Sequence, residues 1–312
     1  MRLSATFAVL LAVGVALGAP RPGAAQTPAA PPAASQNPSP MVERTRAHGR
    51  VAPRELAGVH RSFAGPLGKP VDVFVPSATR RAGAVRLVVH FHGDPFVPDD
   101  AVARLGGEHV AAVVTLGAGS GVYDRTFSDP VAYDSLLAGI AREASAALGA
   151  PVRIAHVTLV GFSAGHGAIR AILRDSAHFA AVDAVLLLDG MHTSYVPEGT
   201  VVEKGGTLDE RPLDAFVRFA RAAVRGDKRF VVTHSEIFPG TFASTTETAD
   251  HLLAALGLQR TPVLRWGPHG MQQLSEVRAG RFTLLGFAGN SAPDHIDHLQ
   301  GMAEFLKMVE GR

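Results

Sequence analysis

Short apolar segments alternate with longer helical patterns along this chain, and this alternation restricts its possible folds more than any other feature. The predicted strands are residues 71–75, 87–91, 110–116, 156–160, 184–188, 229–233, 262–266 and 282–287, and the predicted helices are residues 132–148, 164–173, 213–224, 246–256 and 293–309. Strands that are apolar on both faces are typical of parallel sheets, because helices cover both sides of such a sheet. Since crossover connections are right-handed, we predict an α/β fold: a doubly wound, mostly parallel sheet with helices on both faces.

A G-x-S-x-G pentapeptide, Gly161-Phe-Ser163-Ala-Gly165, lies where a predicted strand meets a predicted helix. A serine forced into a sharp strand-to-helix turn is strained, and side chains two positions away on either side would collide, so glycines are needed there. The turn exposes the serine hydroxyl at the start of a helix, where backbone N–H groups favour negative charge. The pentapeptide alone is weak evidence, but in this context it predicts a nucleophile at Ser163.

This strand–turn–helix arrangement resembles the α/β-hydrolase superfamily, and the resemblance covers nearly the whole mature chain from about Val59. A second matching segment is His90-Phe-His92-Gly-Asp94, which follows an upstream strand where these enzymes carry an HG-x loop. The resemblance implies that the backbone N–H groups of Asp94 and Ala164 form an oxyanion hole. For His90 and His92 themselves, we expect packing of the loop rather than a catalytic role.

A serine hydroxyl is a poor nucleophile until an imidazole takes its proton, and a carboxylate must orient that imidazole. The resemblance implies the chain order serine, acid, histidine, with the histidine after the last strand. The segment Ser-Ala-Pro-Asp-His-Ile-Asp-His-Leu, residues 291–299, offers His295 and His298. We favour His295 because it is nearer to the preceding loop. His298, one helical turn further on, and His269 are the alternatives.

Two carboxylates are candidates for the acid. Asp189 follows the apolar strand 184–188, where its charge would lie over the edge of the sheet and need a partner. The position more usual in the superfamily follows the next strand, 229–233, where Glu236 is the available carboxylate. We favour Asp189 and keep Glu236 as the alternative.

The N-terminal segment has the pattern of a signal peptide. Arg2 supplies a positive charge, residues 5–18 are almost entirely apolar, and Gly23 and Ala25 are a plausible cleavage pair. An apolar run of this length is too short to span a bilayer comfortably. We therefore predict a signal peptide over residues 1–25, secretion to the periplasm or the exterior, and no stable membrane insertion after cleavage.

The composition of the remaining chain indicates its domain organisation and excludes some kinds of site. Residues 26–49 are rich in proline and alanine and predict a disordered linker, followed by a hydrolase domain over residues 50–312. There are no cysteines, which excludes disulfides and thiolate metal sites. A formal net charge of +2 without runs of like charge gives no indication of a nucleic-acid partner. The histidine pairs in HFH and HIDH lack the further ligands of a metal site, so we predict no metal and no cofactor.

These features together predict a secreted serine hydrolase that cleaves a small-molecule carboxylic ester through an acyl-enzyme on Ser163. A peptidase or amidase with the same triad is the first alternative, and a catalytically silent binding protein of the same fold is the second. We expect residues 193–210 and 238–245 to form the pocket walls. His192, Tyr195 and His234 are candidates either for lining that pocket or for packing the loops.

Overall fold

Ten strands form one sheet in the described part of the computed structural model, which comprises residues 47–79 and 83–311. The predicted signal peptide, residues 1–25, and most of the predicted linker, residues 26–49, lie outside these residues. The strands, in chain order, are β1 Gly58–Ala64, β2 Pro70–Pro76, β3 Ala84–Phe91, β4 His109–Val114, β5 Arg153–Phe162, β6 Ala184–Leu188, β7 Tyr195–Val196, β8 Thr207–Leu208, β9 Arg229–His234, β10 Thr261–Trp266, β11 Gln272–Ala279 and β12 Phe282–Phe287. β7 and β8 form a separate two-stranded ribbon.

The order across the large sheet is β1-β2-β4-β3-β5-β6-β9-β12-β11-β10. The strands from β4 to β12 in this order pair in parallel. At one edge β1 and β2 are antiparallel, and at the other edge β11 and β10 are antiparallel. The prediction of a mostly parallel α/β sheet is confirmed.

Nine α-helices lie in the described residues. They are α1 Phe96–Leu105, α2 Ser120–Phe127, α3 Pro130–Leu148, α4 His166–Ile172, α5 Ser176–Ala181, α6 Asp214–Arg225, α7 Thr245–Leu256, α8 Ala292–Gln300 and α9 Met302–Glu310. Among these residues, no helix combines the length and the apolar composition that crossing a bilayer requires.

Each face of the sheet has its own apolar core. Within β3, Leu87 and Val89 belong to the core that α2, α3, α4, α6 and α7 cover, whereas Val88 belongs to the core on the opposite face, under α1 and α9. Successive side chains of a strand point to opposite faces, so a strand covered on both sides must be apolar throughout. Full burial of each such side chain contributes about 1.5–3 kcal/mol, and this explains the continuous apolar runs in the sequence.

Two predicted helices differ from the observed ones. The closing helix predicted over 293–309 is wrong as a single element, because α8 and α9 are separated at Gly301. A Cβ on this glycine would lie 2.9 Å from the Phe305 ring and 3.0 Å from Cβ of Pro268, so the close packing at the break requires its absence. The helix predicted over 164–173 begins instead with a 3₁₀ turn, Ser163–Gly165, which α4 follows.

Several observed elements were not predicted, and α1 and β11 are two of them. α1, with the sequence FVPDDAVARL, contains a proline and two aspartates in its first half. In β11 only two of the eight residues are buried, Gln273 and Val277, because this strand lies near the edge of the sheet.

The start of the described chain is attached to α8. His48 Nδ1 lies 2.8 Å from one carboxylate oxygen of Asp297, and Arg50 donates to the other at 2.5 Å. Contacts with α8 are therefore already present at His48, two residues before Arg50, which is the start of the predicted domain.

Candidate active site

The pentapeptide forms the predicted sharp turn between β5 and α4. Ser163 has a φ of 47°, in the left-handed region that residues with side chains rarely adopt. A Cβ on Gly165 would lie 2.0 Å from the carbonyl oxygen of Phe91, and a Cβ on Gly161 would lie 2.9 Å from the Ile169 side chain. The structure therefore requires both glycines for the steric reason that the sequence indicates.

The turn after β6 packs directly against this serine. Gly190 approaches so closely that an added Cβ would lie 2.6 Å from both the backbone N and O of Ser163. Asp189, the preceding residue, also has a left-handed backbone, with a φ of 42°. Since β5 and β6 are neighbours in the sheet, their carboxyl ends bring the serine and the aspartate to the same edge.

Asp189 is a buried carboxylate with four hydrogen-bond donors. Its side chain is 2% exposed. Ser235 donates through its backbone N at 2.8 Å and its hydroxyl at 2.7 Å, Thr245 donates through its hydroxyl at 2.7 Å, and Nδ1 of His295 lies at 2.7 Å. Such a set of partners offsets the cost of burying the charge.

These surroundings keep Asp189 ionised. Burial by itself raises the pKa of the carboxyl, but the neighbouring His298 and His295 and the hydrogen bonds from His295 and Thr245 outweigh it and hold the pKa well below its usual range. A negative carboxylate is what fixes the hydrogen on Nδ1 of the bound imidazole.

His295 lies in the first turn of α8, within the range of the predicted closing helix. Ser291 and Asp294 form a capping box that fixes the start of α8. The His295 ring packs on Phe162, the residue before Ser163, with ring centroids 4.6 Å apart. Its side chain is 25% exposed. With Nδ1 bound to Asp189, Nε2 is the nitrogen left for another partner.

The alternative candidates for the base and the acid have other hydrogen-bond partners or lie at the surface. His298 is 1% exposed, and its Nδ1 lies 2.8 Å from the hydroxyl of Thr233 instead of on a carboxylate. Nε2 of His269 is bound to the carbonyl of Gln300, at 2.9 Å, and not to a carboxylate. Glu236 is exposed. The structure thus brings Asp189 together with His295, and neither Glu236 nor His298 takes part in that hydrogen bond.

The HG-x loop lies beside the serine turn. Gly165 packs against the carbonyl of Phe91, the last residue of β3, and the following residues His92 and Gly93 have φ values of 73° and 127°. Asp94 is exposed, and its carboxylate accepts from the backbone N of Phe96 at 2.8 Å. The loop is thus next to the turn, while the oxyanion role of the Asp94 and Ala164 N–H groups stays a prediction.

Both histidine side chains of this loop pack against other parts of the protein. His90 is fully buried, and burial lowers its pKa to about 3, so its ring is neutral. His92 lies 3.0 Å from the hydroxyl of Tyr123 and stacks on Phe162 with ring centroids 6.1 Å apart. Phe162 therefore contacts the rings of both His92 and His295.

A cavity of about 440 Å³ opens at Ser163. The side chains that matter for its chemistry are those of Ser120, Ser163, His166, Arg170, His192 and Phe242. Thr193 and Ser194 also line it, so residues from both predicted wall segments, 193–210 and 238–245, reach the cavity. The other two candidates pack elsewhere: the hydroxyl of Tyr195 donates to Glu247 at 2.8 Å, and His234 lies 2.6 Å from Arg260.

Two neutral imidazoles face this cavity. His166 and His192 bind the carbonyl oxygens of Ser163 and Ala243 through Nδ1, at 2.8 and 2.9 Å. Because a carbonyl can only accept, Nδ1 carries the hydrogen in each ring. Burial lowers the pKa of His166 to about 3 and also lowers that of His192, so each Nε2 is an acceptor. The sequence analysis missed His166 and Arg170, although both follow Ser163 on the helix that leaves the turn.

No family model matches the sequence, and no curated protein matches it either. The chain is similar to solved structures. A cold-adapted esterase from an Arctic intertidal metagenomic library has 14% identity, a TM-score of 0.44, and coverage of 82% of this chain and 96% of that one. Esterase 2 of Thermogutta terrifontis has 14% identity, a TM-score of 0.46, and coverage of 83% and 97%. The acylaminoacyl peptidase of Pyrococcus horikoshii has 13% identity and a TM-score of 0.44. The match covers 83% of this chain and 42% of the peptidase.

The internal geometry defines the class of fold. A mostly parallel sheet with helices on both faces carries a strained serine between a central strand and a helix, with an aspartate after the next strand and a histidine after the last parallel strand. This is the α/β-hydrolase fold.

Proposed function

We propose that this chain is a serine hydrolase that cleaves carboxylic esters through an acyl-enzyme on Ser163. The observation that carries the proposal is the 2.7 Å contact between His295 and the buried Asp189, at the same sheet edge as the strained Ser163. A buried carboxylate that orients an imidazole at the same sheet edge as a half-buried serine fits the arrangement that activates a hydroxyl nucleophile.

The proposed reaction has two halves. In the first, Nε2 of His295 takes the hydroxyl proton while Oγ of Ser163 attacks the ester carbonyl, and the backbone N–H groups of Ala164 and Asp94 stabilise the oxyanion. The intermediate collapses to the acyl-enzyme, and the imidazolium protonates the departing alcohol. In the second half, His295 activates a water that attacks the acyl-enzyme, releasing the acid and restoring the serine.

Asp189 has a positioning role in this reaction. Its negative charge holds the hydrogen on Nδ1 of His295, which keeps the lone pair on Nε2, and stabilises the imidazolium that forms in each half. We also propose that the enzyme acts after export, on the strength of the signal-peptide pattern in residues 1–25.

The first test measures hydrolysis of p-nitrophenyl acetate and butyrate by the wild-type protein and by the variants Ser163→Ala and His295→Ala. We expect both variants to lose nearly all activity. His269→Ala is the matched control, because His269 is bound to the Gln300 carbonyl away from the serine, and it should keep wild-type activity.

Labelling by a fluorophosphonate separates the remaining outcomes. A wild-type protein that is inert towards both esters but labels at Ser163 would retain the activated serine and contradict only the ester substrate, and amides would be tested next. If the wild-type protein neither turns over the esters nor labels, the binding-protein alternative replaces the proposal.

A further inference from the structure

A second cavity adjoins the Ser163 cavity, and arginines dominate its wall. It also has a volume of about 440 Å³. The arginines that line it are Arg170, Arg174, Arg211, Arg218 and Arg221. Arg170 and Pro212 line both cavities, so these two residues form the boundary between them.

Three of these arginines have carboxylate partners. Asp124 pairs with Arg170 at 2.6 Å and with Arg174 at 2.7 Å, and a single carboxylate therefore serves two guanidinium groups. Arg211 pairs with Asp209 at 2.9 Å.

The other two arginines have only carbonyl groups as hydrogen-bond partners, and no carboxylate, in the part of the chain that the structure describes. Arg218 donates to the carbonyl of Leu173 at 2.9 Å and lies 5.2 Å from the ring centroid of Phe179. Arg221 donates to the carbonyl of Ala255 at 3.2 Å. Even when Asp214 in the cavity wall is counted with Asp124 and Asp209, five guanidinium groups face three carboxylates. The cavity therefore carries a net positive charge.

A concave surface with this charge attracts anions, because its low-dielectric walls concentrate the field. Guanidinium groups also match the geometry of a carboxylate, to which they donate two parallel hydrogen bonds. We propose that the arginine cavity is a subsite for an anionic group of the substrate, the simplest being a carboxylate. The ester would lie at Ser163, and its charged end would extend past Arg170 and Pro212. This inference rests on the proposed esterase function and narrows its substrate class.

Paired substrates test the subsite. For the acyl side, mono-p-nitrophenyl esters of glutaric, adipic and suberic acid are compared with the same compounds methylated on the free carboxyl. For the alcohol side, butyrate esters of ω-hydroxy acids are compared with those of the matching alkanols in a pH-stat. We expect kcat/KM to favour the charged member in one of the two series, and we expect added salt to reduce that preference, since salt screens exposed charges.

Variants of α6 show whether the arginines cause the preference. We expect Arg221→Gln to lower the charged-to-neutral ratio of kcat/KM roughly tenfold, the effect of losing one hydrogen bond to a charged group. Arg221→Lys should restore part of the ratio. Arg225→Gln is the matched control: it removes the same charge from the same helix, but Arg225 pairs with Asp227 at 3.1 Å and does not line the cavity. Taking a ratio cancels any general loss of activity in a variant.

The outcomes separate the two proposals. If the neutral esters are hydrolysed and the charged ones are no better in either series, or if Arg221→Gln and Arg225→Gln give the same ratio, the subsite proposal is overturned and the esterase stands. If no ester is hydrolysed and a fluorophosphonate does not label Ser163, the esterase proposal fails and the subsite proposal fails with it.

Discussion

Asp189 shows how a single residue depends on its surroundings for its chemistry. An isolated carboxylate in a buried position would be protonated, but the donors from Ser235, Thr245 and His295 make the ionised form the stable one. Both carboxylate oxygens of Asp189 are fully occupied as hydrogen-bond acceptors. The side chain therefore has one orientation, and the His295 ring is held in one tautomer.

The substitution Asp189→Asn tests this role. An amide of the same shape presents an N–H group or an uncharged oxygen to His295, so the hydrogen on Nδ1 is no longer held and Nε2 loses its lone pair in part of the molecules. We expect kcat for p-nitrophenyl butyrate to fall by about 10⁴-fold. Glu236→Gln, which changes the exposed alternative carboxylate, should keep wild-type kcat. Equal losses in the two variants would contradict the assignment.

Asp99 is a second buried aspartate, but its pKa is raised whereas that of Asp189 is lowered. Asp99 in α1 is 4% exposed, and burial, together with the charges of Asp72 and Asp94, raises its pKa to about 7. The nearby His60 is mostly exposed and lies 3.6 Å away, too weak an attraction to reverse the effect of burial. The folded protein thus binds a proton that the unfolded chain releases near pH 3.8.

This difference makes stability depend on pH. Because the folded state binds more protons between pH 3.8 and about 7, the free energy of unfolding falls as the pH rises through that range. We expect Asp99→Asn to remove this fall and to stabilise the protein at pH 8 by up to about 4 kcal/mol, at about 1.4 kcal/mol for each unit of pKa. Urea unfolding of the wild-type protein and of the Asp99→Asn variant at pH 5 and pH 8 measures this difference in stability. A variant that gains no more at pH 8 than at pH 5 would show that Asp99 is ionised without penalty.

At the scale of elements, the end of α9 is attached to three parallel strands by one carboxylate. The Glu310 side chain is 1% exposed. It accepts hydrogen bonds from Arg86 in β3 and from Thr158 in β5, and it lies 3.2 Å from His109 in β4. Burial raises its pKa, but the hydrogen bonds from His109, Thr158 and Arg86 outweigh it and lower the pKa to about 2.

Removing this charge should loosen α9. We expect Glu310→Gln to lower the free energy of unfolding at pH 7 by about 2–3 kcal/mol, because Arg86 and Thr158 lose a charged acceptor. In the wild-type protein this contribution is fully present above pH 4.5 and is lost as the pH falls towards about 2. Chemical unfolding at pH 7 and pH 3 measures both effects. Glu304→Gln, on the same helix and with no ion pair among the described residues, is the control. A matching loss in both variants would refute the role of Glu310.

At the scale of the whole molecule, the parallel sheet is what assembles the site. Ser163 and His295 are 132 positions apart in the chain, yet the two lie at one edge because β5, β6, β9 and β12 are consecutive in the sheet and run in the same direction. Their carboxyl ends therefore open on the same side. Helices on both faces bury the strands, so the exposed parts at this edge are the connecting turns, where the reactive side chains lie.

Features that depend on residues close together in the chain could be predicted from the amino-acid sequence. The alternation of apolar strands and helices predicted the sheet, since periodicity along the chain reports which faces are buried. The two glycines around Ser163 predicted the strained turn, because the collisions that exclude side chains there arise within and next to the turn.

Contacts between side chains that are distant in the chain depend on how the helices and strands pack. Asp189 and Glu236 both follow parallel strands, and His295 and His298 lie about one helical turn apart, so no local pattern separates them. The phase of α8, set by its capping box and its packing, turns His295 towards Asp189 and His298 towards Thr233. The arginine cavity joins α4 and α6, and its charge arises from side chains that come together only after these helices pack on the same face of the sheet.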